Sequence, residues 1–165
     1  MAENKRMTPI ERAETEAAVA RAVAANVTDV MDGEWGEREW LHLFVDFEIA
    51  AQGDRSSSIT FALARLPGQA VEDISFRLPQ EAKRLLGLLA DGMGASPNGR
   101  WTCAQLRVEQ DGRYAISYSY DPPYRLGGNL LDNRFQDYRE TWLASGNGAA
   151  FRPVPAPWWR RMLDL

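Results

Sequence analysis

His42 is the only histidine in the 165 residues and Cys103 the only cysteine. Those two counts remove most familiar chemistry. A zinc set of ordinary ligand spacing needs several histidines or cysteines, and a nucleophilic triad would have to use His42 itself as base with partners brought by folding. No nucleophile elbow surrounds any serine. His42 lies in an alternating apolar stretch and reads as a strand residue on the less buried face. Cys103 has nothing nearby in sequence to lower its pKa, so it reads as a small sheet residue. Asp46 and Glu48 lie two apart on one strand and share a face, as a carboxylate pair for acid-base work or a metal would. With no histidine or third acid fixed beside the pair, a solvated strand face is the plainer expectation. The glycines at 92, 94, 99, 127 and 128 lack the strand-turn-helix context and the lysine of a phosphate-binding loop, and read as turn residues. The expectation is a protein without catalytic residues, cofactor or metal, and not an enzyme.

The elements that position these residues follow from periodicity. In Trp101 to Asp121 two alternating runs meet at Asp111-Gly112. A two-residue loop there would put Tyr114 and Ile116 on the face of Arg107 and Glu109, mixing charge with the apolar set. A three-residue loop, Gln110-Asp111-Gly112, with Gly112 in the left-handed region, pairs Val108 with Tyr114, Leu106 with Ile116 and Ala104 with Tyr118. That register gives one coherent core face. The opposite face, Cys103, Gln105, Arg107, Ala115, Ser117 and Ser119, is small and polar, suited to solvent or to a wet protein contact.

Upstream, Thr8-Pro9-Ile10-Glu11 has the parts of a capping box, starting a helix from about Pro9 to Val30. Its inward stripe is expected to be Ile10, Ala17, Val19 or Ala20, Val23, Val27 and Val30 or Met31. Trp40 to Ile49 alternates as a strand, with Leu41, Leu43, Val45, Phe47 and Ile49 facing one way and His42, Phe44, Asp46 and Glu48 the other. Ser58 to Leu66 makes a second strand and Val71 to Phe76 a short third. Leu78 to Met93 carries a stripe of Ala82, Leu85, Leu86, Leu89 and Met93 and predicts a second helix. Asp132 to Ala144, with Phe135, Tyr138, Arg139, Trp142 and Leu143, predicts a third. The order implies an α+β domain over 1–150, a mostly antiparallel sheet of four to five strands with helices packed on one face. Residues 151–165 read as a proline-spaced aromatic tail packing on the domain.

Composition narrows the function classes. The hydrophobic fraction is 45% and the net charge −4, a balance that suits one globular domain and disfavours direct nucleic-acid binding, which counterion release drives toward basic surfaces. No apolar run approaches the roughly 20 residues of a membrane span. The polar start, MAENKRM, lacks a secretory core, so the expected compartment is the cytoplasm. Two groups have the composition of contact surfaces. Asp32, Glu34, Trp35, Glu37 and Glu39, together with Asp29 and Trp40, interleave acids with tryptophan where the first helix gives way to a strand. A basic partner would select such a surface, charge steering the encounter and aromatics anchoring it. The second group is Tyr120, Asp121 and Tyr124, beside Tyr118, where a strand becomes a proline loop.

The hairpin resembles the diagnostic hairpin of the YezG-like immunity family. Trp101-Thr102, Leu106 and Val108, Asp111-Gly112, then Tyr114, Ile116, Tyr118, Tyr120 and Asp121 stand where that family has its Trp-Thr pair, alternating strand, Asp-Gly turn and aromatic run. The upstream order of elements is also similar, so residues 8 to 121 lie along the family pattern. The chain departs from it beyond Pro122. The resemblance implies a bacterial antitoxin that binds and neutralises a cognate secreted toxin domain of a polymorphic toxin system, expected to be a nuclease, without catalysis or cofactor. Two other readings stay open. One is a small ligand-binding domain or enzyme with a pocket between sheet and third helix, lined by His42, Tyr120, Tyr138 and Trp142. The other is a structural subunit that self-associates through its tail.

Overall fold

Alternation in the strands and leucine stripes in the helices build a five-stranded antiparallel sheet in the computed structural model, which describes residues 6–51, 55–93 and 100–145. The elements are α1 (Pro9–Ala25), β1 (Glu39–Ile49), β2 (Ser56–Arg65), β3 (Glu72–Ser75), α2 (Gln80–Gly92), β4 (Cys103–Glu109), β5 (Tyr114–Ser119) and α3 (Tyr138–Ala144). The sheet order is β3-β2-β1-β4-β5, which places β1 at the centre. The α+β class is as expected. The tail from 151 onward lies outside the described residues.

Thr8 caps α1, its hydroxyl accepting the Glu11 N–H at 3.1 Å. The helix ends five residues short of the expected Val30, capped at Asn26. Val19, Ala20 and Val23 carry its buried face, joined by Val27 after the helix has ended, whereas Ile10 is 64% exposed and no part of the stripe. Ala82, Leu85, Leu86, Leu89 and Ala90 of α2 meet the same face of the sheet, so α1 and α2 close one core over Leu43, Val45, Phe47, Ile49, Ala62 and Ala64.

The hairpin has the reasoned register: Ala104 opposite Tyr118, Leu106 opposite Ile116, Val108 opposite Tyr114. Gly112 has φ +92°, the left-handed conformation that the three-residue loop demands. Trp101 is buried between Phe47 and Tyr118.

Two expectations about faces need correction. The register of β1 against β2 slips between Trp40 and His42. Leu41 therefore leaves the face of Leu43 and joins Phe44, Phe61 and Leu63 in a second cluster on the opposite side. The third helix begins at Tyr138 rather than Asp132, and it does not share the face of α1 and α2. Its Trp142 and the preceding Phe135 pack with that second cluster. The segment from Asp121 to Ser145 thus forms a strap across the back of the sheet. No helix among the described residues is long and apolar enough to cross a membrane.

Candidate functional site

The strap changes the meaning of the polar side chains on the back of β1. Asp46 and Glu48 are not solvated, for both are almost wholly buried. A central strand has no free edge, and the strap closes over the remaining face. Burial of two carboxylates requires compensation by cations or N–H donors. Both are present. Glu48 Oε1 accepts the N–H groups of Arg125 at 2.8 Å and Leu126 at 3.0 Å, and Oε2 accepts that of Tyr124 at 3.1 Å. The carboxylate therefore sits in a nest of three successive backbone donors.

The Arg125 side chain spreads over its surroundings. Nε donates to Ser57 Oγ at 2.8 Å, and Nη1 to Asp132 Oδ2 at 2.8 Å. Nη2 donates to the backbone oxygens of Asp46 and Ser57, so Asp46 Oδ1, 2.9 Å away, is held as an ion contact without a hydrogen bond of its own. Arg134 completes the knot with two bonds to Asp132, at 2.9 and 2.6 Å, and stacks on the Tyr124 ring at 4.0 Å. Its hydrogen bonds hold the Asp132 carboxyl well below the usual carboxylate range.

Cys103 takes part in the same knot. Its thiol donates to Asp46 Oδ2 at 3.4 Å, beside the Gln105 amide at 2.9 Å. Burial first and the Asp46 charge second push its pKa up to about 12. The thiol stays protonated at neutral pH and is a poor nucleophile, as its sequence context implied.

His42 is likewise not on a less buried face, being 2% exposed. Nδ1 lies 2.9 Å from Glu109 Oε1 and Nε2 2.7 Å from the Tyr138 hydroxyl, which also accepts Arg107 Nε at 3.0 Å. A carboxylate can only accept, so Nδ1 carries the proton. Acid, imidazole and hydroxyl have the order of a triad, but Tyr138 and Trp142 pack on the imidazole with ring centroids 5.6 Å away. A substrate could reach it only by displacing α3. The expected pocket lined by His42, Tyr120, Tyr138 and Trp142 is a filled core, and Tyr120 lies at the other end of the sheet, past Ser119, which pairs with Cys103. Among the described residues no group of side chains could hold a metal ion.

The expected contact residues fall in two places. In the turn before β1, Arg38 donates to the carbonyls of Glu34 and Trp35 at 2.8 and 3.0 Å and pairs with Glu72 at 3.0 Å, tying the turn to β3. Trp35 and Trp40 are partly buried against the helix-side core, which limits them as anchors for anything else. Glu39 pairs with Arg65 and Asp29 with Arg77. Asp32, Glu34 and Glu37 are exposed and have no ion-pair partner among the described residues. Beside them a shallow hollow of about 590 Å³ is lined by Glu37, Leu66, Pro67, Gln69, Ala70 and Glu72.

Tyr120, Asp121 and Tyr124 lie where β5 runs into the strap. Cys103 pairs with both Glu48 and Ser119, so this group stands at the Glu48 end of β1, whereas the acidic turn enters at Glu39. Nine residues of strand separate the two, about 30 Å at the rise of an extended chain. The fold does not bring them into one compact patch.

Arg125, Asp132 and Arg134 escaped the sequence reading altogether. The one signal was the pair of carboxylates on a central strand, which calls for buried cations only once that face is known to be covered. No family model matches the chain, and no match was found among the curated proteins.

Proposed function

We propose that this protein is an immunity protein: a cytoplasmic bacterial antitoxin that binds and neutralises a cognate secreted toxin domain, a nuclease by expectation, through the acidic turn before β1. The observation that carries the reading is the set of three exposed carboxylates, Asp32, Glu34 and Glu37, free of ion pairs among the described residues, on a turn that Arg38 holds in place. Unpaired acids on a fixed scaffold are available to a partner without first breaking internal bonds. An acidic face of this kind can cover a nuclease's phosphate-binding cleft by presenting the charge of its substrate. The hairpin resemblance and the net charge of −4 support the same reading. On this reading the chain is not an enzyme, needs no cofactor and does not bind nucleic acid itself.

Co-expression with the product of an adjacent toxin-like gene is the direct test. Rescue of growth and a stable complex are expected; their absence would refute the assignment. Within a complex, the combined change Asp32→Lys, Glu34→Lys and Glu37→Lys is expected to slow association and to flatten its dependence on ionic strength, measured by stopped-flow mixing. Unchanged kinetics would remove the turn from the interface.

A further inference from the structure

On the strap side of β4 and β5 the covering segment stops short of the sheet edge and leaves a cleft of about 310 Å³. Its floor is the polar row Gln105, Ser117 and Ser119, and its walls carry Asp121, Tyr124 and the buried Glu48. The volume is at the low end for a ligand pocket, the size of one side chain rather than of a peptide.

Charge and hydrogen-bond sense select the occupant. Glu48, Asp121 and one guanidinium, Arg134, line the cleft, and Glu48 is already met by three backbone N–H groups and two arginines, which leaves Asp121 as the carboxylate open to a ligand. Arg134 is already committed to Asp132 and Glu48 and stacked on Tyr124, so an anion finds no free cation there. The available groups accept. Gln105 spends its N–H₂ on Asp46 and keeps its carbonyl oxygen. The Asp121 carboxylate has no hydrogen-bond or ion-pair partner among the described residues, while its backbone is fixed by Ser119 Oγ and the Thr102 hydroxyl. Pro122, Pro123 and Tyr124 add flat apolar surface. A planar, weakly hydrated cation with several in-plane donors fits such a site better than an ammonium, which is compact and strongly hydrated.

We propose that this cleft seats the guanidinium of an arginine side chain from a partner protein, with Asp121 as its principal acceptor. It rests on the reading of this chain as a binding module and adds a second anchor, at the opposite end of the sheet from the acidic turn.

The test uses the full chain and a small probe. Butylguanidine, a guanidinium on a four-carbon stem, is titrated while backbone amide shifts are followed by NMR, with butylamine as the ammonium control of equal charge. Expected is a saturable, millimolar response centred on Gln105, Ser117, Ser119, Asp121 and Tyr124, weaker for butylamine. Asp121→Asn, at an exposed side chain without internal partners among the described residues, is expected to weaken butylguanidine about tenfold, the effect of losing one charge-assisted bond. Asp32→Asn should leave it unchanged. The proposal is overturned by a non-saturating response, by equal binding of butylamine, or by an Asp121→Asn titration that matches the parent. Because no toxin is present, failure here leaves the acidic-turn reading intact, and failure of growth rescue leaves this site intact.

Discussion

Under α1 and α2, the central strand offers Leu43, Val45, Phe47 and Ile49 to leucines, valines and alanines. Under the strap, the same strand offers His42, Phe44, Asp46 and Glu48 to two arginines, a phenylalanine, a tyrosine and a tryptophan. Both faces are buried, by unlike means. The helix side needs only apolar area and shape, so many sequences of the right periodicity would fill it. The strap side needs each charge met by a particular group. Burying its ions costs free energy that only good geometry offsets, and removal of one partner leaves another uncompensated. A contact of that kind adds less to stability than its number of bonds suggests, but it specifies where the strap must lie.

The largest expected effect separates the two faces directly. Arg125→Ala takes from Asp46 its one guanidinium among the described residues, and from Glu48 and Asp132 one of two, and is expected to destabilise by about 3–5 kcal/mol, with the loss concentrated in the strap. Leu89→Ala, from the helix side, should cost about 2–5 kcal/mol and weaken the whole domain. Hydrogen exchange decides between local and global effects: in Arg125→Ala the amides of Tyr124 to Leu126 should lose protection before those of α1 and α2. Uniform loss in both variants would erase the distinction between the faces.

A smaller effect tests the electrostatics. Asp132→Asn is expected to cost about 2 kcal/mol at neutral pH, the scale of a hydrogen bond to a charged group. The native pKa of Asp132 is depressed, so its contribution is complete above the unfolded value of about 3.9 and is lost as pH falls through the native one. The gap between parent and variant in urea denaturation should therefore hold from pH 7 to about 4 and narrow progressively below that, closing only as the pH approaches the depressed native value. A gap that does not narrow at all below about pH 4 would show that packing, rather than charge, carries Asp132.

The smallest effect lies in the hairpin turn, away from the strap. Gly112→Ala forces a Cβ onto a left-handed residue and is expected to cost about 1–2 kcal/mol, with no added strap exposure by hydrogen exchange. A neutral result would mean that the turn relaxes to another register.

The hairpin was legible because its evidence is local. Period-two alternation and one glycine decide between two registers, and only one keeps charge out of the apolar face. The helix-side core was legible for the same reason, apart from the ends of α1. The back of the sheet was not, because nothing in the alternation of β1 distinguishes a strand facing water from one facing Arg125. His42, Asp46 and Glu48 look the same in either case. The candidate contact residues were half legible: acid and exposure at Asp32, Glu34 and Glu37 agree with their composition, but the partial burial of Trp35 and the distance to Tyr124 required coordinates.

By itself, then, the order of residues determined the α+β class, the hairpin register and the helix-side core, all consequences of short-range periodicity or local chemistry. Tertiary structure decided that the back of the sheet is an interior, that Leu41 belongs to it through the slip after Trp40, and that the two acidic aromatic groups stand apart. The first of those outcomes depends on ion pairs between residues some 75 to 90 positions apart, such as Asp46 with Arg125 and Glu48 with Arg134. Pairing over that separation leaves no period in the sequence, since any arginine on the strap could in principle have met any acid on the strand until the chain closed.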